Sequence, residues 1–517
     1  MTDSSAPADK PAHFSGWHWV LMLVVLSLTN FMEVLDISIA NVSINSISGA
    51  LGVSPNEGTW VITSYTVANA VAVPLTGWLA ARFGQVRMFT LAIAIFTFAS
   101  WVCGMSFTLS MLISARVLQG AVAGFMIPLS QALMINNSAP KNRTIALAVW
   151  GMTVTVAPIA GPLLGGWITD NYHWSWIFFI NVPAGLLALF GTVQLFKGRE
   201  TEIKKNPIDR VGVVLLIIWV GSLQIMLDKG NELDWFDSPV VIALTVISAL
   251  CFCLFVAWEW SEAYPVVDLS LLKYRNYTVG VSALGLGYGL FFATVVLMPL
   301  VLQTQIGYTA TWSGRVTAPM GVFAIIFSPI VGRLLQKFDP RIFASLGIAI
   351  FAACSFWRST IYTTGSDVYT LMGPQLLQGV GLAMFFGPLI SINTGGIPAA
   401  KMAAASGLQN FVRMMMGSFA TSIIVTYWDH RADLHRSQLV EQIPQSGTRI
   451  NDALNAFKGS GMDTTQAYGM VDRLLSAQSY LLSANDMFWL SGVILVAVAG
   501  IIWFSRPPFG GGMGGGH

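Results

Sequence analysis

The chain has 517 residues, 54% of them hydrophobic and only 10% charged, a balance that excludes a soluble globular domain of this size. Mean hydropathy is +0.65, and a formal charge of +2 gives no basis for nucleic-acid binding. An all-α polytopic membrane protein is the remaining class: a spanning helix needs about 20 apolar residues, and about fourteen such stretches fit along the chain.

Residues 1–16 are polar and show no short apolar core with a small-residue cleavage site, so the first span is expected to stay as a membrane helix behind a cytoplasmic tail. That span, 17–44, carries NFMEVLDISIAN. At about 100° per residue, Asn30, Glu33, Asp36 and Asn41 share half of the helix circumference. A charge inside a membrane helix costs about 3 kcal/mol on insertion scales, so it normally faces a cavity or a partner. The second span, 59–80, runs into GWLAARFGQVR, with Gly77, Arg82, Gly84 and Arg87 around the connection to the third, 86–107. The fourth, 110–136, opens with RVLQG, putting Arg116 and Gln119 one turn apart and Gly120 and Gly124 in a line of small residues. The fifth, 144–168, holds VWGMTVTVAPIAGPLLGGW. Pro158 and Pro162 remove backbone donors and bend a helix, while Gly161, Gly165 and Gly166 let a neighbour come close. Ordinary helix packing is the plainer reading of the same residues.

A sixth span, 174–196, and a basic linker lead to spans 211–228 and 239–259. Six more follow at 277–303, 311–335, 341–361, 368–393, 403–428 and 486–505. Gln375 stands in the twelfth span where Arg116 stands in the fourth, and Arg413 is a further intramembrane cation; Arg315 and Arg358 are expected near span ends, reaching the headgroups. Connections after even-numbered spans collect Lys and Arg, whereas Lys229 alone appears in the short connections after odd-numbered ones, which puts both termini in the cytoplasm. Residues 429–485 then form an external loop. Its second half sets Ala467, Met470, Val471, Leu474, Leu475, Gln478, Leu481 and Leu482 on one helical stripe, either a docking face or a lid on its own bundle.

LQGAVAGFMIPL at 118–129 is repeated as LQGVGLAMFFGPL at 377–389, and GWLAARFGQVR from Gly77 as GRLLQKFDPR from Gly332. Two parallel six-helix bundles, 17–198 and 263–505, with a linker and two inserted helices at 199–262 and a flexible tail at 506–517, account for both offsets. Parallel repeats of this kind enclose a substrate path at their interface.

Catalysis has little to work with. His13, His18, His173, His430, His435 and His517 lie in tails or loops, and Cys103, Cys251, Cys253 and Cys354 show no metal or redox spacing. No phosphate-binding Gly-rich Lys-Ser/Thr loop occurs, so neither enzymatic activity nor a cofactor is expected, and an ion gradient would supply the energy. A carboxylate that alternates between water and burial takes up and releases a proton, which makes Glu33 or Asp36 the carrier and Arg116 a tuning or gating charge. An ion-pair network that fixes helix register is the structural alternative.

LDISIANVSI, GWLAARFGQVR, RVLQGAVAG and APIAGPLLGG together resemble the fourteen-span drug:proton antiporters of the major facilitator superfamily, over nearly the whole chain. The resemblance implies alternating access, proton influx coupled to export of hydrophobic compounds across a bacterial inner membrane, and a periplasmic membrane-fusion adaptor and outer-membrane channel as partners. By position, Asp36 matches the first-span acid, Arg116 the fourth-span base, Gly161, Pro162, Gly165 and Gly166 the antiporter motif, and Arg82, Gly84 and Arg87 the gating loop. The acid usual before the loop arginine is replaced by Ala81, so a different acid would have to serve that loop. An exporter dedicated to one amphiphile, such as a fatty acid, siderophore or lipid-like metabolite, is the second reading, and a membrane scaffold that transports nothing a remote third. Two acids in the first span suit cationic substrates, while Arg116 and Arg413 suit weak organic anions.

Overall fold

The structure, a computed structural model, describes residues 13–203, 207, 209–363, 365–441, 448–507 and 509; the side chains at 45, 55, 56, 155, 159, 162, 310, 311, 448 and 449 lie outside that description, as does most of each terminal tail. In hydrocarbon every backbone polar group must be bonded within its own segment, so the apolar stretches become helices. The first set is α1 (Gly16–Val42), α2 (Trp60–Phe83), α3 (Gln85–Gly104), α4 (Leu109–Asn137), α5 (Arg143–Asn171) and α6 (Trp176–Leu195). Then come α7 (Arg210–Lys229) and α8 (Pro239–Ser261), followed by α9 (Arg275–Thr304), α10 (Ala310–Leu334), α11 (Pro340–Ile361), α12 (Val368–Thr394), α13 (Met402–Glu441) and α14 (Thr464–Ile501). Several starts are fixed by side-chain caps: Thr108, Asp209, Asp339 and Asp367 each accept a first-turn N–H. No β-strand occurs among the described residues.

Eleven of these helices are long and apolar enough to cross a membrane among the described residues, and up to twelve if α5, whose halves meet at 41° between Pro158 and Leu163, is one bent span. The fourteen spans read from the sequence are therefore not all met by this criterion. The shortfall is α2 and α13, whose polar side chains lower their mean hydropathy.

Packing is repetitive. In the first set α1 packs on α5 and α6, and α4 on α2 and α3; in the last set α9 packs on α13 and α14, and α12 on α10 and α11. The two sets meet through α5 against α10 and α2 against α13, while α7 pairs with α8 and also lies on α2 and α13. At the end of the molecule where α1 begins and α14 finishes the seam is tight. A Cβ placed on Gly77 would lie 2.6 Å from Cα of Ala404, one on Gly332 would lie 3.3 Å from Cα of Ile145, and Gln336 Nε2 donates to the Lys141 carbonyl at 2.9 Å. Lys401 and Asp268, 2.7 Å apart, tie two connections together at the same end.

Residues 429–485 are not a loop in the ordinary sense. α13 continues to Glu441, a short helix spans Thr448–Gly459, and α14 begins at Thr464 behind a capping box made by Asp463 and Gln466. The two long helices continue past their apolar parts as an antiparallel pair. Arg431 and His435 both bond Asp486 (2.7 and 2.8 Å), Arg436 bonds Asp472 (2.6 Å), and Trp428 Nε1 donates to the Tyr480 carbonyl (2.9 Å). Of the amphipathic stripe, Ala467 and Leu481 are buried while Leu474 is 47% exposed. Part of that face is covered by the chain itself and part is open.

Candidate functional site

α1 carries its polar residues into the middle of the first bundle, where helices α2, α3, α4 and α6 supply partners. Asp36 and Arg116 form an ion pair with both side chains fully buried. Gln119 Nε2 donates to Asp36 Oδ1 at 3.1 Å and Asn181 Nδ2 donates to the same oxygen at 2.7 Å. Arg116 also donates to the Val61 carbonyl (3.1 Å) and to Gln119 Oε1 (2.9 Å), and its guanidinium lies 4.1 Å from the centre of the Tyr65 ring. Ser100 closes the set by accepting from Gln119 Nε2 at 2.7 Å. Both oxygens of Asp36 thus have partners, Oδ1 from Gln119 and Asn181 and Oδ2 from Arg116, which fixes the carboxylate in one place. Gly120 and Gly124 allow this closeness: a Cβ on Gly120 would stand 2.3 Å from the Tyr65 carbonyl oxygen.

Glu33 has different surroundings. It is 2% exposed, Asn69 Nδ2 donates to its Oε1 at 3.2 Å, and its Oε2 has no partner. Glu33 lines a cavity of about 460 Å³ between the two bundles, walled by α1, α2, α4, α5, α7, α9 and α13. Asn41, Asn69, Pro128, Pro158, Tyr288, Phe292 and Arg413 are in that wall, and it reaches solvent at Asn231 and Glu232, beyond α7. The open end is thus opposite the tight seam. Arg413, 7% exposed, donates to Asn410 Oδ1 at 3.2 Å and lies 4.7 Å from the Tyr288 ring centre. Asn410 in turn donates to Gln131 Oε1 of α4 at 2.8 Å, a bond that crosses between the bundles.

Three residues expected in the cavity wall are packed into helix contacts instead. Asn30 accepts from Ser130 (2.7 Å), Gln119 belongs to the Asp36 network, and Gln375 accepts from Arg358 Nη2 at 2.9 Å. Arg358 does not reach out to headgroups. It is 2% exposed and bonds Gln375 and Gln378, so the second bundle also buries a cation against α12, with α11 supplying it. Sequence position could not show this, because Arg358 lies near the end of its apolar run.

In the bent helix α5 the close neighbour of two of the motif glycines is α1. A Cβ on Gly161 would sit 2.3 Å from Cβ of Ser38, and one on Gly165 would sit 2.9 Å from Cγ1 of Ile39, both on α1 of the same bundle. Gly166 faces open space, with nothing within 4 Å, and the side chain of Pro162 is outside the described residues. The other bundle approaches α5 elsewhere: a Cβ on Gly151 would lie 2.6 Å from Cβ of Phe386, and one on Gly314 of α10 would lie 3.9 Å from Cδ1 of Leu163. The motif thus presses α5 onto the helix that carries Glu33 and Asp36.

Residues 26–421 match the family model described as Major Facilitator Superfamily. The chain belongs to the Major Facilitator Superfamily. It is 48% identical over 508 residues to "Multidrug export protein EmrB" of Escherichia coli (strain K12), covering 98% of this chain and 99% of that one. It is 43% identical over 499 residues to "Fatty acid resistance protein FarB" of Neisseria gonorrhoeae, covering 96% and 98%. Among solved structures, the crystal structure of the human organic anion transporter MFSD10 (TETRAN) superposes with a TM-score of 0.57 at 13% identity over 92% of this chain and 99% of that one. That likeness concerns the fold alone.

In this major facilitator chain the α2–α3 connection, which lacks an acid at Ala81, is served by Glu200 from the linker beyond α6. Glu200 accepts from the backbone N–H of Val86 (3.0 Å) and Arg87 (2.9 Å), capping α3, and lies 3.9 Å from the Arg87 guanidinium. Gly84 has φ +93°, and a Cβ there would stand 2.4 Å from the Glu200 carboxyl carbon, so glycine is needed twice over. Arg82 lies 5.9 Å from the ring of Phe83, and Gly77 is the seam residue already described. No sequence motif marks Glu200, since its partner is more than a hundred residues earlier in the chain.

Proposed function

We propose that the protein is a proton-coupled multidrug exporter in which Glu33, not Asp36, carries the proton. The observation that carries this reading is the contrast between the two acids. One oxygen of Glu33 is buried and unpartnered in the cavity wall, whereas both oxygens of Asp36 are bonded, to Arg116, Gln119 and Asn181. Near-full-length identity to multidrug export proteins supports efflux of hydrophobic compounds.

In this reading all of α1–α14 cross the inner membrane with both termini in the cytoplasm, giving fourteen spans with α2 and α13 tolerated because their polar faces line the cavity. The chain divides into bundles at 17–198 and 263–505, with α7 and α8 inserted between them. The tight seam is then the closed cytoplasmic gate, and the cavity opens outward. Protons reach Glu33 from outside, neutralise it and release a bound cation; inward opening returns the proton and admits new cargo. Each charge moved through the membrane potential contributes about 2.3 kcal/mol per 100 mV. A periplasmic adaptor and an outer-membrane channel would receive the product, the protruding pair formed by α13 and α14 being the nearest surface for the former. No cofactor takes part.

The test is proton release in liposomes holding the purified protein and an internal pH dye, on addition of tetraphenylphosphonium or, separately, decanoate. Substrate-driven proton movement that Glu33→Gln abolishes is the expected result. An unchanged flux in Glu33→Gln sinks the assignment. Response to decanoate alone favours a dedicated exporter of one amphiphile, a reading that the similarity to a fatty acid resistance protein makes worth the second arm.

A further inference from the structure

The inserted helix α7 is a wall of the cavity rather than a spacer. Its outer face meets lipid through Val214 and Ile217, 53% and 47% exposed, and its other face turns Gln224, Leu227 and Asp228 into the cavity. Gln224 and Asp228, four residues apart, are joined by a bond from Nε2 to Oδ1 of 2.8 Å. The second oxygen of Asp228 accepts from Thr66 Oγ1 of α2 at 3.0 Å.

Thr66 and Asn69 are three residues apart on α2, so they are neighbours on one helix face, with Cβ atoms about 5–6 Å apart. Asn69 holds Glu33 and Thr66 holds Asp228. The two carboxylates therefore occupy adjacent turns of the same cavity face, with Asp228 nearer the open end. Neither forms an ion pair among the described residues. The cation next in sequence, Lys229, is engaged at the cavity mouth, bonded to Thr59 and to Glu232 (2.7 Å) and set 5.6 Å from the Trp60 ring centre. Polar capacity is left over at both levels: Glu33 Oε2 and Gln224 Oε1 are buried without partners, and each residue is 2% exposed. Opposite them Phe292, Val296 and Met414 supply apolar surface, and Arg413, the cation of the same wall, is held by Asn410 and lies 4.7 Å from the Tyr288 ring centre.

We propose that Asp228 is a second cation-binding carboxylate, which takes the charged group of a hydrophobic organic cation as it leaves Glu33 for the open end. The inserted pair of helices thereby gives the cavity part of its selectivity. This rests on the cavity being the substrate path. Protonation of Glu33 removes the deeper anchor, and Asp228, one turn outward, holds the cation while its apolar body stays against α9 and α13.

Binding of tetraphenylphosphonium to the purified full chain, followed by equilibrium dialysis together with the melting temperature, tests it. Asp228→Asn is expected to weaken binding about tenfold with the melting temperature unchanged, and Asp228→Glu to retain it. Unaltered affinity in Asp228→Asn overturns the inference alone. Weakened binding with a lowered melting temperature that Asp228→Glu does not restore overturns it too, by showing that Asp228 only secures α7 to α2. If the unaltered protein binds no tetraphenylphosphonium, the inference falls because the cavity takes no hydrophobic cation, while the decanoate arm of the transport assay still decides separately whether the protein exports.

Discussion

Asp36 and Glu33 stand on the same face of α1, one turn apart, yet among the described residues only Asp36 forms an ion pair, with Arg116, while Glu33 shares its cavity with Arg413. Removing one partner of a fully buried ion pair leaves an uncompensated charge and costs about 3–5 kcal/mol. Asp36→Asn should therefore lower the melting temperature of the purified protein and its level in the membrane, and Arg116→Gln should do the same. Combined, the two substitutions leave a neutral, hydrogen-bonded cluster and should recover much of the loss, a double-mutant cycle with a large coupling term. Equal and additive losses would mean that the pair contributes nothing as a pair. Glu33→Gln keeps the bond from Asn69 and should leave the melting temperature close to that of the unaltered protein. From sequence the two acids were equivalent, because periodicity gives the face a residue shares and not the side chains that meet it.

At the scale of elements, α5 shows how small residues fix a helix crossing. Gly161→Ala should force Ser38 aside and cost about 1–3 kcal/mol by overpacking, whereas Gly166→Ala, which points into open space, should stay within about 0.5 kcal/mol. Melting temperatures of the two variants check the order; a Gly166→Ala variant as damaged as Gly161→Ala would refute the contact assignment. The connections at the closed end add an electrostatic tie. Burial alone would raise the Asp268 carboxyl, but the Lys401 ammonium and Ser270 outweigh it and hold it below its ordinary value of 3.8. A carboxyl lowered in the folded state contributes stability above its unfolded value and loses it as pH falls through the lowered one. The melting-temperature gap between the unaltered protein and Asp268→Asn should hence be present at about pH 6 and shrink as pH falls below the ordinary carboxyl value of 3.8. A gap independent of pH would show that the ion pair is not its source. The glycines of α5 were legible in the chain, but their neighbours were not: α1 receives Gly161 and Gly165, Phe386 lies against Gly151, and Gly166 faces open space.

For the whole molecule, the decisive feature is a cavity shut at one end by the seam of α5 with α10 and α2 with α13, and open at the other. A Cβ on Gly332 would lie 3.4 Å from that of Ala148, close to the separation of about 3.5–4.5 Å that a disulfide spans. Oxidation of the Gly332→Cys, Ala148→Cys double variant should lock the seam and stop transport, and a reductant should restore it. Transport that continues with the bridge formed would show that the seam need not open. Four native cysteines remain, of which Cys103 and Cys354 are buried, so replacing Cys251 and Cys253 gives the cleaner background.

Helical, membrane-embedded character, the repeat and the polar face of α1 follow from the sequence alone, because hydrocarbon forces each apolar stretch to satisfy its own backbone and makes each buried charge conspicuous. Tertiary structure decided which charges are paired. Arg116 finds Asp36, Arg358 finds glutamines, Glu200 caps a helix begun more than a hundred residues earlier, and Asp228 from an insert joins Glu33 across α2. Those partners come from helices distant in the chain, and a contact between distant helices depends on how their faces rotate and cross, which no local pattern of residues fixes.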